Sequence, residues 1–200
     1  MTETKRKKRT KRVRALTESA LMIALATALS FVELWEMPMG GSVTLASMLP
    51  IMLIGIKYGA GQGLITAFVF SGIQLAQAIM KGNVFVYTET APLVILVALF
   101  DYVIPYTLIG LSGILRRFRP EKCPRLGCYL GMLLVVFARF LCHFISGVAV
   151  WGQWAEDMHP ILYSILYNGG FLLPDFVICF LVAVYLLEIP VVQKMLDIPR

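Results

Sequence analysis

Residues 161–187 read ILYSILYNGGFLLPDFVICFLVAVYLL, an apolar run whose single formally charged side chain is Asp175. A hydrocarbon layer about 30 Å thick takes about 20 such residues in a helix rising about 1.5 Å per residue. A soluble domain has no need of a run of this length, whereas a membrane-spanning helix does. Moving toward the N-terminus, the same reading recurs over Leu126–Val150, Ala91–Leu115, Gly63–Met80, a short Val43–Tyr58 and Leu16–Val32. The sequence thus predicts an all-α integral membrane protein with six transmembrane helices. With neither an internal repeat nor a Ser/Pro linker, one six-helix domain over 16–190 is expected, between a basic tail (1–15) and a short tail (191–200). Gly169, Gly170 and Pro174 predict a local irregularity in the sixth helix.

Composition agrees. Of the 200 residues, 58% are hydrophobic and 15% charged, with a mean hydropathy of +0.78; soluble domains lie nearer half and a quarter. A net charge of +6 would suit nucleic acid, but its distribution argues against that partner. Eight of the 18 basic residues, Lys5, Arg6, Lys7, Lys8, Arg9, Lys11, Arg12 and Arg14, form a tail against the first apolar run. That is a topogenic, lipid-facing signal. No clear A-x-A-type cleavage site follows that first apolar run and the chain continues as membrane spans, so the first helix is read as retained. With the N-terminus inside, Lys57, Arg116, Arg117, Arg119, Lys122, Arg125, Lys194 and Arg200 also fall inside, whereas the outer loops hold Lys81 with Glu33, Glu36, Glu89, Glu156 and Asp157. Both termini are therefore expected in the cytoplasm. The acidic outer loops either concentrate a cationic ligand or are simply solvated. Cys123, Cys128, Cys142 and Cys179 lack CxxC spacing and are read as reduced thiols.

A charge at membrane depth costs about 3 kcal/mol and tends to mark function. Asp101, Arg139, His143 and Asp175 are of this kind. Within ARFLCHFISGVAVWGQWA (138–155), Arg139, His143, Gly147 and Trp151 recur every four residues and share one helix face. The face offers a cation, an imidazole, a gap that lets a flat ligand approach the backbone, and an aromatic plate. Helix packing at Gly147 and an interfacial role for Trp151 are the plain alternatives. Tyr163, Ser164, Tyr167 and Asn168 share one side of the first two turns of the sixth span, at the same depth, and Asp101 with Tyr102 comes from the fourth. Asp101 could face a ligand cation or pair with Arg139. Together these groups would suit a small, flat, cationic heterocycle. Ala20, Ala24 and Ala28 make a smooth ridge on the first helix for another helix of this chain or another subunit.

An enzyme is not expected. EDMH (156–159) lacks the HExxH spacing and adjoins Pro160, so neither catalytic nor metal-binding residues are assigned. A self-contained secondary transporter would show repeats and broken helices in both halves.

Three stretches carry a family resemblance: LTESALMIA (16–24), FDYVIP (100–105), and HFISGVAVWGQWA (143–155) followed by YSILYNG (163–169). The chain resembles the substrate-binding S components of energy-coupling factor (ECF) transporters, most closely the thiamine-specific ones, over nearly its whole length. The resemblance implies an S-component bundle in the bacterial plasma membrane that binds thiamine near the outer face. It implies a transmembrane coupling subunit contacting the first-helix alanines and two ATPase subunits, with no cofactor of its own; the chain has no Walker motif. The implied pocket residues are Asp101, Tyr102, Arg139, His143, Gly147, Trp151, Tyr163, Ser164 and Asn168. His143 and Trp151 would flank the pyrimidine, the acidic residue would face the thiazolium, and Asn168 would read the aminopyrimidine edge. Asp101 and Arg139 depart from the Glu and Lys of the family pattern, and the loop ELWEMPMGGSVTL (33–45) does not match the family's lid. There, Trp35 would supply a lid aromatic or Glu36 would meet the cation. An S component for another vitamin or a thiamine precursor is the alternative.

Overall fold

The computed structural model describes residues 3–82, 88, 90–196 and 198. Glu89 and Arg200, counted above among the loop charges, lie outside the described residues. From residue 3 the basic tail is no separate segment: α1 (Glu3–Ser30) winds it into the first helix. A two-stranded antiparallel hairpin follows, β1 (Glu33–Glu36) with β2 (Ser42–Thr44). Then come α2 (Leu49–Tyr58) and, after a tight turn at Gly59, α3 (Ala60–Lys81). The fourth membrane segment is composite: α4 (Ala91–Val97), a π-helical turn (Ala98–Val103), α5 (Ile104–Leu108) and a 3-10 turn (Ile109–Gly113). α6 (Leu126–Ala149) leads through a 3-10 turn (Trp151–Trp154) to α7 (Pro160–Glu188) and the short α8 (Pro190–Leu196). Among the described residues, five of these segments are long and apolar enough to cross a membrane, and α2 is a shorter apolar helix.

The helices are inside-out relative to a soluble bundle. On α6, Leu133, Phe137, Leu141 and Ile145 are exposed, while Arg139, His143, Ser146 and Gly147 face inward. Polar groups gather inside because lipid offers them no partner. Charge also separates along the bundle. Lys81 holds Glu33 (2.5 Å) and Glu36 (3.3 Å) at the hairpin end. At the other end Glu18 accepts from Arg14, Lys57 and Tyr58, and Arg116 donates to the last carbonyls of α2.

Two expectations are corrected. Val43–Tyr58 is not one helix: α2 begins only at Leu49, with Pro50 in its first turn, where a missing N–H costs nothing. Upstream, Val43 and Thr44 are in the hairpin, and Ala46 takes a left-handed conformation (φ 56°). The irregular helix is the fourth, not the sixth. α7 is a continuous helix through Pro174, whereas Pro105 is the second residue after the π-helical turn. A proline cannot bond the carbonyl four residues back, here that of Asp101, and its ring crowds it. The wider turn over 98–103 accommodates this.

The unwound segment before α2 needs polar partners. Thr44 donates its N–H (2.9 Å) and Oγ1–H (2.8 Å) to Asp175 Oδ1, and Ser47 bonds Thr44 (2.7 Å). Arg139 Nη1 lies 3.9 Å from Asp175 Oδ2, both side chains nearly sealed from solvent at 4% and 3% exposure. This network ties the hairpin to α6 and α7. Removing one partner of a buried pair leaves an uncompensated charge, at about 3–5 kcal/mol. Asp175→Ala is therefore expected to lower the melting temperature of the detergent-solubilised protein sharply; an unchanged melting curve would contradict the network.

Candidate functional site

The turn of the hairpin, Met39–Gly41, closes over a cleft formed by the π-helical turn, α5, α6 and α7. Asp101, Tyr102, Arg139, His143, Gly147, Trp151, Tyr163 and Asn168 all line it. The free space is narrow, about 60 Å³.

Asp101 is the polar centre. Its Oδ2 accepts from Ser146 Oγ (2.8 Å) and Trp151 Nε1 (3.1 Å), and its Oδ1 lies 3.2 Å from His143 Nδ1. The π-helical turn places it there. Pairing of Asp101 with Arg139 is not what the structure contains. Arg139 instead faces Asp175, stacks its guanidinium 4.3 Å from the centre of the Tyr106 ring, and reaches Met48 Sδ (2.6 Å). Its Nε donates to His143 Nε2 (3.4 Å). An imidazole nitrogen that accepts from Arg139 is unprotonated, which puts the ring proton on Nδ1 toward Asp101 and leaves His143 neutral. Arg139 thus faces Asp175, and among the described residues no lysine or arginine pairs with Asp101.

The walls are aromatic. Tyr102 and Tyr106 stack with ring centres 6.5 Å apart, Phe171 meets His143 edge-on at 5.7 Å, and Tyr163 lies 5.5 Å from Tyr167. Trp151 is 9% exposed and packs with Val97 and Val150. It is a buried wall rather than an interfacial side chain. The Tyr167 hydroxyl accepts from Met39 N (2.9 Å) and donates to Gly40 O (3.0 Å), pinning the turn onto α7. Gly41 (φ 87°) packs on the Phe171 ring with no space for a Cβ.

Ser164 does not line the cleft. Fully buried, it donates to Phe144 O and accepts from Asn168, which also donates to His143 O (3.1 Å) and so ties α7 to α6. Gly147 serves packing as well as the cleft, since a Cβ there would strike Ser164 Oγ and Asn168 Nδ2. Trp35 stands exposed on β1, and Glu36 is engaged by Lys81 beside a separate polar chamber behind Tyr102 and Tyr106. The loop reaches the cleft instead through Met39, Gly40 and Gly41. Tyr106 and Phe171 are additions to the predicted set, and Tyr167, already read on this side of the sixth span, lines the cleft as well. The four-residue steps Tyr102–Tyr106 and Tyr163–Tyr167–Phe171 were the available signal.

A family model described as thiamine transporter protein (Thia_YuaJ) matches residues 16–194. This chain belongs to that family. Among its relatives, the thiamine transporter ThiT of Bacillus subtilis is 32% identical, covering 84% of this chain and 86% of the relative. Thiamine transporter ThiT of Lacticaseibacillus paracasei is 27% identical over 80% of each. A solved structure of ThiT from Listeria monocytogenes shares the fold, with a TM-score of 0.71, 22% identity, and 93% of this chain and 98% of that one covered. The chain is thus a multi-pass protein of the bacterial plasma membrane whose family transports rather than catalyses.

Overpacking costs about 1–3 kcal/mol. Gly147→Ala is expected to lower the melting temperature by driving Ser164 and Asn168 back, whereas Gly72→Ala, where a Cβ meets nothing, should not. Equal melting of the two variants would refute the close contact of α6 and α7.

Proposed function

We propose that this chain is the high-affinity thiamine-binding subunit of an ECF importer. It captures thiamine in the cleft at the outer face and delivers it inward with a transmembrane coupling subunit and two ATPase subunits. The observation that carries the reading is the uncompensated carboxylate of Asp101 inside an aromatic cleft. Thiamine joins a neutral aminopyrimidine to a thiazolium with one positive charge. Binding it would neutralise the buried cluster, which anionic biotin or uncharged riboflavin would not do. In this reading Asp101 faces the thiazolium, and His143 and Trp151 flank the pyrimidine. Both amide hydrogens of Asn168 serve Ser164 and His143, so its side-chain carbonyl is the group that can accept from the pyrimidine amine.

The cleft is smaller than a two-ring ligand, so the Met39–Gly41 turn has to give way on entry. At its tip the turn is held by side chains of α7, with Tyr167 bonding Met39 and Gly40, Tyr163 touching Met39 and Phe171 packed under Gly41. The basic end of the bundle is assigned to the cytoplasm by its charge, both termini with it. Support for the coupling subunit comes from Ala20, Ala24 and Ala28, all exposed along α1; small residues allow close helix approach.

Fluorescence titration of the solubilised protein with thiamine should saturate in the nanomolar range. Trp151→Ala should weaken binding by at least about tenfold, as expected from losing a stacking wall and a hydrogen bond to Asp101. Asp101→Asn should weaken thiamine far more than it weakens the uncharged aminopyrimidine fragment. A flat titration of the wild type would sink the proposal.

A further inference from the structure

The end of the bundle away from the hairpin carries a second, larger opening that the cleft does not explain. It is a groove of about 700 Å³ between α1, the adjoining ends of α2 and α3, and α8. Lys11, Arg12, Arg14, Lys57 and Lys194 line it, and Tyr58 and Gln62 add polar groups. Glu18 engages Arg14 (2.8 Å) and Lys57 (2.5 Å), fixing these two cations as a wall. Among the described residues, no carboxylate pairs with Lys11, Arg12 or Lys194. Lys57 is shared with a neighbouring opening lined by Arg116, Arg117 and Arg119. Like charges gathered around one space repel unless an anion joins them.

The groove's position points to the kind of anion. Its rim carries Leu16, 60% exposed, and Met195, 53% exposed, where the apolar surface of the bundle gives way to charge. A phospholipid placed there sets its acyl chains against Leu16 and Met195 and its phosphate among the cations. We propose that this groove is a binding site for the phosphate of an anionic phospholipid headgroup, holding the N-terminal half of α1 at the membrane surface. The site is independent of what the cleft binds.

The test is native mass spectrometry of the full chain, released from micelles containing equal phosphatidylglycerol and phosphatidylcholine. The wild type is expected to retain phosphatidylglycerol preferentially. Each basic residue near an anionic surface strengthens binding about fivefold, so Lys11→Gln, Arg12→Gln and Lys194→Gln together should cut retention by more than about tenfold. Unchanged melting in a zwitterionic detergent would show that this variant is folded. If it is not, a high-salt wash of the wild type provides the second arm, because added ions screen an exposed phosphate site and should strip the lipid. Equal retention by wild type and variant, or retention indifferent to salt, overturns the proposal. Inorganic phosphate raising the melting temperature as much as phosphatidylglycerol would assign the groove to soluble phosphate and overturn the lipid. Loss of coupling-subunit copurification with lipid retention intact would make it a protein interface, which also overturns the lipid site.

Discussion

Arg139 is a full charge buried in the middle of a membrane helix, and much of the architecture can be traced to what neutralises it. Asp175 faces it from α7. Asp175 in turn accepts both donors of Thr44, which lets the chain before α2 stay extended at a depth where an unpartnered backbone would be prohibitive. Because that segment is extended, α2 is short, the hairpin forms, and its turn lies over the cleft. The same pairing removes Arg139 from Asp101. An ion pair that organises the lid side of the site thereby leaves the site itself with an unmatched carboxylate.

That carboxylate is prepared rather than idle. Ser146, Trp151 and His143 surround it with hydrogen-bonding groups, so it is oriented without a lysine or arginine partner. The His143 tautomer follows from the Arg139 contact on its other nitrogen. A ligand bringing one positive charge and flat rings fits this arrangement better than a neutral or anionic one. It also makes sense of Trp151 as both wall and hydrogen-bond donor.

How much was legible beforehand depended on whether a residue's partner lay on its own helix. The spacing of Arg139, His143, Gly147 and Trp151 placed four lining groups on one face, because helical periodicity is local. The length of α7 and the alanine spacing on α1 were legible for the same reason, whereas the exposure of that ridge was not. The partner of Arg139 was not, since the choice between Asp101 and Asp175 is made by the packing of three helices. Nor was the hairpin: residues 33–44 have no apolar period strong enough to announce a sheet, and Val43–Tyr58 looked continuous because no charge interrupts it before Lys57, although Pro50 marks the true first turn of α2. Pro105 was a visible reason to expect a distorted fourth helix. Pro174 drew the expectation to the sixth instead, where membrane helices tolerate a proline without breaking.

The central claim is that one unmatched negative charge selects the ligand. Calorimetric titration with thiamine and with an analogue of the same shape, its thiazolium replaced by an uncharged ring, tests this directly. The account predicts tight thiamine binding and an analogue weaker by more than about 100-fold, the scale of a buried charge left unpaired. Equal affinity for the two would contradict it, because shape and stacking would then suffice without Asp101.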